Sequence, residues 1–329
     1  MTNAFRSHGG PDALGVPLYD FSTNSNACGP CPQAVSAVQS ADATRYPDPT
    51  YAALRSELAA FHAVDQARVL LAGSASEFIF RITGWLARQG AATVRVPQHG
   101  YGDYAQAARA WGLGVVISGP ADLHWCADPS SPLGQSPEFE SWQALPGVQV
   151  IDCAYAPLRL SGAAALSKSA MWQLWSPNKA LGLTGVRAAY AIAPAGSPDA
   201  VAQLEDLCPS WPLGTHGVAM LRAWAQPPTQ AWLAGSLITL NDWKTRQTAL
   251  LQNLGWHCLP SHANFFCARP YGDDYHADLD TRIDRLRRHG IKLRSAESFG
   301  LPGHVRLSVL PPVAQDALQA AWLDNRATP

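Results

Sequence analysis

The stretch Val69-Leu70-Leu71-Ala72-Gly73-Ser74-Ala75-Ser76-Glu77 passes from four apolar residues through a glycine into small polar ones. It reads as a buried strand, a tight turn and a helix that runs on over residues 78–89. The unit then recurs. A strand at residues 93–96 leads through His99-Gly100-Tyr101-Gly102 into a helix at 104–111. Further strands are expected at 114–118, 148–152 and 171–176, and a helix at 51–63 precedes them all. Such alternation specifies an α/β protein with a mostly parallel sheet and helices on both faces.

Toward the C-terminus, Pro227-Pro228 opens a long helical stretch over 230–254. Strands at 264–269, 291–294 and 305–309 and a helix at 278–289 then form a smaller α/β domain. The expected division is an irregular N-terminal arm over 1–30, a large domain over 31–228 and a small domain over 229–329. A chain of 329 residues is too long for one compact core, which agrees with two domains.

Net charge is −1 and charged residues make up 15% of the chain, with no basic face or arm. Nucleic acid and anionic membrane are therefore not expected partners, and a small molecule is. Twelve tryptophans and 47% hydrophobic residues suit a well-buried protein with a large subunit interface. There is no uninterrupted apolar run of about 18 residues and no signal-peptide core after Met1. The seven cysteines are scattered and odd in number, which points to a reducing cytoplasm. Cys28-Gly29-Pro30-Cys31 has the letters of a thioredoxin-type redox motif, but no βαβ unit precedes it and Gly-Pro is ordinary turn chemistry before a helix. No metal-ligand set is assigned.

The chemistry centres on Trp175-Ser176-Pro177-Asn178-Lys179-Ala180-Leu181-Gly182-Leu183-Thr184-Gly185-Val186-Arg187, which leads into an apolar run at 188–193. A lysine in a small-residue loop between strands is either solvated or a neutral amine that attacks an aldehyde. The hydroxyl of Ser176 and the guanidinium of Arg187 suit a phosphate dianion. An aldehyde that carries a phosphate is pyridoxal 5′-phosphate (PLP). Upstream, Val148-Gln149-Val150-Ile151 ends in Asp152. An acid at the C-terminal end of a parallel strand either caps the next element or faces the ligand crevice. In the crevice it would keep a pyridine nitrogen protonated, and Tyr155 would reach the ring oxygen. Ser74-Ala75-Ser76, at a helix start, offers free amides to an anion or simply caps the helix. Tyr101 is either a loop tyrosine or a ring stacked on the cofactor. Arg294 and Arg306 lie in apolar strands and need an anion, which a salt bridge or a substrate carboxylate would supply.

Taken together, these segments resemble the fold type I PLP-dependent enzymes of the class I/II aminotransferase family. The similar branch contains histidinol-phosphate aminotransferase and L-threonine-O-3-phosphate decarboxylase. The carriers are His8-Gly9-Gly10, Asp20-Phe21-Ser22-Thr23-Asn24-Ser25-Asn26, Arg45-Tyr46-Pro47-Asp48-Pro49, Asp152-Cys153-Ala154-Tyr155, the run from Ser176 to Arg187, Ala263-Asn264-Phe265 and Val305-Arg306-Leu307-Ser308. The resemblance implies that Lys179 bonds the cofactor aldehyde, Asp152 pairs with the pyridinium and Tyr155 touches the ring oxygen. It implies that Tyr101 stacks on the ring and that Ser74, Ala75, Ser76, Ser176 and Arg187 hold the phosphate. Tyr46 would reach that phosphate from a neighbouring subunit, which makes the protein a homodimer. Arg294, Arg306 and Asn24 would meet the substrate, with Arg306 on its α-carboxylate.

The family's Asn-Asn-Pro-Thr-Gly is replaced by Ser130-Ser131-Pro132-Leu133-Gly134, and Asn178 stands where the family has Ser or Thr. Ser131 is too short to copy the asparagine's bond to the ring oxygen without a water. The expected activity is transamination of a small phosphorylated or otherwise anionic amino compound, as in histidinol-phosphate aminotransferase. Decarboxylation of threonine phosphate is the alternative. A catalytically silent PLP-binding protein and a Cys28–Cys31 redox protein are the readings of other classes.

Overall fold

The structure, a computed structural model, describes residues 9–137, 145–164, 170–270 and 279–324. His8 and Asp278, named in the expectations above, lie outside the described residues. The strands are β1 (Tyr19–Asp20), β2 (Val69–Ala72), β3 (Thr93–Arg95), β4 (Gly114–Val116), β5 (Leu123–Ala127), β6 (Val148–Asp152), β7 (Trp172–Trp175), β8 (Ala189–Ile192), β9 (Trp256–Cys258), β10 (Phe265–Pro270), β11 (Ile291–Lys292), β12 (Arg294–Ser295) and β13 (Val305–Ser308). The helices are α1 (Pro32–Gln39), α2 (Ala52–His62), α3 (Ala75–Arg88), α4 (Gly102–Ala110), α5 (Pro198–Asp206), α6 (Thr215–Trp224), α7 (Pro227–Asn253), α8 (Leu279–Arg288) and α9 (Pro312–Asp324).

Seven strands form the central sheet in the order β2-β8-β7-β6-β5-β3-β4. β8 runs antiparallel to both of its neighbours, and the other pairings are parallel. Both faces are covered, and the residue alternation shows it. In β2, Leu70 and Ala72 enter the core beneath α3, while Val69 and Leu71 enter the core on the opposite face with Leu54 and Leu58 of α2. In β8, Ala189 and Ala191 face the first core, and Tyr190 and Ile192 the second. A strand buried on two faces needs apolar residues at every position, which is why these segments read as continuous hydrophobic runs.

A four-stranded antiparallel sheet, β12-β13-β10-β9, packs with α7, α8 and α9. β1 of the N-terminal arm pairs in parallel with β11, so the first described residues are tied to this C-terminal region. Among the described residues, no helix is long and apolar enough to cross a membrane.

Three features depart from the sequence expectation. β5, between β6 and β3, is absent from the sequence expectation because His124 interrupts its apolar pattern. That histidine is fully buried, and its Nε2 lies 2.8 Å from the Pro146 carbonyl. The strand expected at 291–294 splits, with Ile291–Lys292 pairing with β1 and Arg294–Ser295 pairing with β13. β1, β9, α5, α6 and α9 also lie outside the expectation, although Pro198 opens α5 in the position where a missing N–H costs least.

Candidate active site

The site forms where the parallel strands end. Asp152 is the last residue of β6, 7% exposed, and both of its carboxylate oxygens accept hydrogen bonds. Tyr104 Oη donates to Oδ2 at 2.7 Å and the Ala154 amide donates to Oδ1 at 2.8 Å. Burial raises the carboxyl's pKa, while the Tyr104 bond, the Ala154 amide and the charge of Lys179 pull it back down.

Lys179 follows β7 in a loop whose backbone is fixed by the arm. Its carbonyl accepts from the Asn26 amide at 2.9 Å, and the Leu181 carbonyl accepts from Cys31 at 2.8 Å. Gly182 has a φ of 69°, and a Cβ there would come within 2.8 Å of the Gly29 carbonyl oxygen. Only glycine allows the arm to lie this close against the loop. The Lys179 ammonium sits 5.2 Å from the centre of the Tyr155 ring. Tyr155 is held edge-on to Phe265, and its hydroxyl lies 3.4 Å from Asn24 Nδ2.

Above the sheet, Gly73-Ser74-Ala75-Ser76 turns from β2 into α3. Ser74 Oγ accepts from the Glu77 amide at 3.1 Å while Glu77 reaches back to the Gly73 amide at 3.2 Å. This reciprocal pair caps the helix and orients its first turn. Ser76 Oγ lies 3.1 Å from the hydroxyl of Tyr101, and burial pushes that phenol's pKa up beyond the ordinary range.

One cavity of 670 Å³ joins these parts. Ser74, Ala75, Ser76, Tyr101, Asp152, Tyr155, Ser176, Asn178, Lys179 and Arg187 line it at one side, and Asn24, Ser131, Arg294 and Arg306 line it too. Of the residues assigned to cofactor or substrate in the sequence, Tyr46 alone does not line this cavity. It is 79% exposed and stacks on Trp211 at 4.6 Å.

The two arginines are partners across a strand pair, since Arg294 of β12 stands opposite Arg306 of β13. Each is 7% exposed. Phe299 takes both guanidinium groups on its ring, at 5.0 Å for Arg294 and 5.5 Å for Arg306. Arg306 donates to the Ser22 carbonyl at 2.8 Å and to Ser131 Oγ at 3.2 Å. Burial first, then the nearby Arg306 charge, lowers the pKa of Arg294 to about 10. Two buried like charges facing one cavity favour an anion between them.

The residues fit PLP. Ser176 Oγ and Asn178 Oδ1 are buried without a hydrogen-bond partner, and the first amides of α3 face the same cavity. Arg187 is exposed and makes no side-chain bond among the described residues. A phosphate would accept from the Ser176 hydroxyl, these amides and the Arg187 guanidinium, whereas Asn178 Oδ1 is itself an acceptor and is not satisfied by it. Asn178 Nδ2 lies 3.4 Å from the Thr184 carbonyl, so the residue that departs from the family pattern also braces the lysine loop.

Tyr104 is the site residue that sequence reading missed. Its signal was its place three residues after Tyr101, on the same helical face. Cys28 and Cys31 form free thiols away from this cavity, and burial raises the pKa of Cys28, the reverse of what an attacking thiolate needs.

An open parallel sheet, a lysine loop and a strand-end acid at its carboxyl edge define a PLP-dependent enzyme of fold type I. Residues 16–321 match the family of class I and II aminotransferases, and the chain belongs to that family. It is a PLP-dependent aminotransferase by that membership. Histidinol-phosphate aminotransferase of a Jannaschia species is 29% identical over 318 residues, which cover 88% of this chain and 86% of that protein. Among solved structures, histidinol-phosphate aminotransferase from Sinorhizobium meliloti in complex with PLP superposes with a TM-score of 0.81 at 22% identity, over 97% of this chain and 95% of that one. L-threonine-O-3-phosphate decarboxylase from Porphyromonas gingivalis gives 0.78 at 18% identity, over 94% of this chain and all of that one (100%).

Proposed function

We propose that this aminotransferase acts on a small amino compound carrying a phosphate or carboxylate, with histidinol phosphate as the leading candidate. The observation that carries the proposal is the cavity shared by Lys179, Asp152 and the paired Arg294 and Arg306. It offers an amine and an acid at one end of the substrate and two cations at the other. The names of the relatives point the same way.

The residue roles are part of the proposal. Lys179 Nζ would hold the cofactor at its aldehyde carbon and would move the proton at the substrate's Cα. Asp152 would hold the ring nitrogen and Tyr155 the ring oxygen, while Tyr101 would cover the ring face. Ala75, Ser76, Ser74, Ser176 and Arg187 bind the phosphate. PLP supplies an electron sink for charge that develops at Cα. Arg306 grips the substrate anion, with Arg294 and Asn24 beside it, and Ser131 steadies Arg306. The phosphate cradle belongs to a large domain over 31–228 and the arginines to a small one over 229–329, with the arm over 1–30 between them. Tyr46 completes the phosphate site of a second subunit in a homodimer. Seven free thiols suit a reducing cytoplasm.

The test begins with borohydride reduction of the holoenzyme and peptide mapping. The pyridoxyl group is expected on Lys179, and its recovery on Lys244 or Lys292 would end the assignment. The holoenzyme's absorbance is then titrated with histidinol phosphate and with threonine phosphate. Conversion of the cofactor to its amine form by histidinol phosphate supports transamination. Release of carbon dioxide from threonine phosphate instead makes the chain a decarboxylase, the reading that the Porphyromonas gingivalis structure favours.

A further inference from the structure

The buried phenol of Tyr104 has a partner that explains its position. Tyr104 is 1% exposed, in the first turn of α4, and its ring stacks on Trp125 of β5 at 4.6 Å and 9°. The edge of Tyr101 closes a second side, at 5.7 Å and 84°. Held on two sides, the ring has little rotational freedom, and its hydroxyl reaches Asp152 Oδ2 at 2.7 Å. A neutral phenol donates one proton. With the Ala154 amide on Oδ1, both carboxylate oxygens are acceptors, which is the pattern of an ionised acid.

We propose that Tyr104 is a positioning residue that orients the Asp152 carboxylate and holds it in its charged form, so that the proton it shares with the cofactor stays on the ring nitrogen. The inference rests on the reading that Asp152 faces that nitrogen. Without a donor, the desolvated carboxylate would be the more basic partner and would take the proton itself. A carboxylic acid beside a neutral pyridine is a poor sink for electrons. Burial works against the charge on Asp152, and the Tyr104 hydrogen bond is the strongest influence opposing it. The other titratable groups facing this carboxyl are Lys179 from the loop after β7, Tyr101 from the start of α4 and Cys126 from β5. Lys179 is the one cation among them, and it acts on the carboxyl through its charge alone. Tyr104 and the Ala154 amide are the groups that donate hydrogen bonds to the charged acid.

The experiment uses holoenzyme reconstituted with PLP carrying ¹⁵N in the ring, and follows the nitrogen signal against pH by NMR. In Tyr104→Phe the ring and its stacking remain and only the hydroxyl is lost. The pH at which the ring nitrogen loses its proton is expected to fall by about one unit or more, since a hydrogen bond to a charged group is involved. kcat should fall roughly tenfold to a hundredfold with KM little changed. A fluorinated tyrosine at position 104, nearly the same shape but a stronger donor, should move the midpoint upward, and it decides the matter if the phenylalanine variant does not fold. Asp152→Asn is the reference. If it shifts the nitrogen signal and neither change at Tyr104 does, Tyr104 only packs and the proposal is overturned. If Asp152→Asn leaves the signal unmoved as well, Asp152 does not face the ring, and the underlying reading fails instead.

Discussion

Arg306 donates to Ser22 and Ser131 while the Phe299 and Phe265 rings lie against its guanidinium at 5.5 Å and 5.8 Å. Its Nε is buried without a partner. The planar group is thus set in orientation with hydrogen-bonding capacity left over, which suits a fork-shaped contact with a carboxylate or phosphate. Arg306→Lys keeps the charge but loses the fork and the flat face. Its expected effect is a rise in substrate KM of about tenfold or more, with the cofactor's absorbance unchanged. A variant that loses thermal stability but binds substrate as the parent does would make Arg306 a structural cation. At this scale much of the site was legible in the sequence. Asp152 announces itself as an acid ending an apolar run, and Lys179, Ser176 and Arg187 lie in one loop. Tyr104 was not legible because its partner is 48 residues away in sequence and close only after β5 and β6 have paired.

Helix α7 carries a lysine into an unusual place. Lys244 is half-buried and donates to the Ser261 carbonyl at 2.6 Å and the Ala263 carbonyl at 2.7 Å. The turn it braces fits against the departed family segment. His262 donates to the Gly134 carbonyl at 2.6 Å, and a Cβ at Gly134 would strike Ser261. Burial lowers the Lys244 pKa from its ordinary 10.5 to about 8. Between those values the unfolded chain binds the proton and the folded one does not, so stability rises with pH there. Lys244→Met lacks this titration. Chemical denaturation from pH 7 to 10 should therefore show the parent gaining on the variant above about pH 8. A difference that stays constant with pH would mean that the two carbonyl bonds keep the ammonium charged throughout. Most elements of this size were legible, because periodicity marks α2, α3 and β6. β5 was not, since a buried histidine looks polar until its carbonyl partner is known. The split at Leu293 was hidden too, because the alternating segment Ile291-Lys292-Leu293-Arg294 looks like one strand but serves two sheets.

For the whole molecule, the position of Tyr46 is the telling one. It points outward with Trp211, and Leu14, Val16 and Leu18 of the arm are also largely exposed. An exposed aromatic pair of this kind is a candidate contact point for a partner. If Tyr46 serves a neighbour's site, two defective chains can repair each other. Mixing inactive Lys179→Ala subunits with inactive Tyr46→Ala subunits should restore activity in hybrid dimers, up to one intact site in each. Sedimentation as a monomer at working concentration would exclude shared sites. The expected role of Tyr46 at a subunit interface comes only from likeness to a family, because no periodicity records what covers an exposed ring.

The tie between the arm and the C-terminal region also sets an order of events in synthesis. Asp12 pairs with Arg287, 275 residues on, and the Ser22 carbonyl waits for Arg306, 284 residues on. At ribosomal speeds that is an interval of roughly fifteen seconds to a minute. The segments proposed to hold the cofactor, from Ser74 to Arg187, emerge well within it. In synthesis the proposed cofactor segments therefore come well before the proposed substrate wall, which is complete only when Arg306 of β13 reaches the Ser22 carbonyl just after β1.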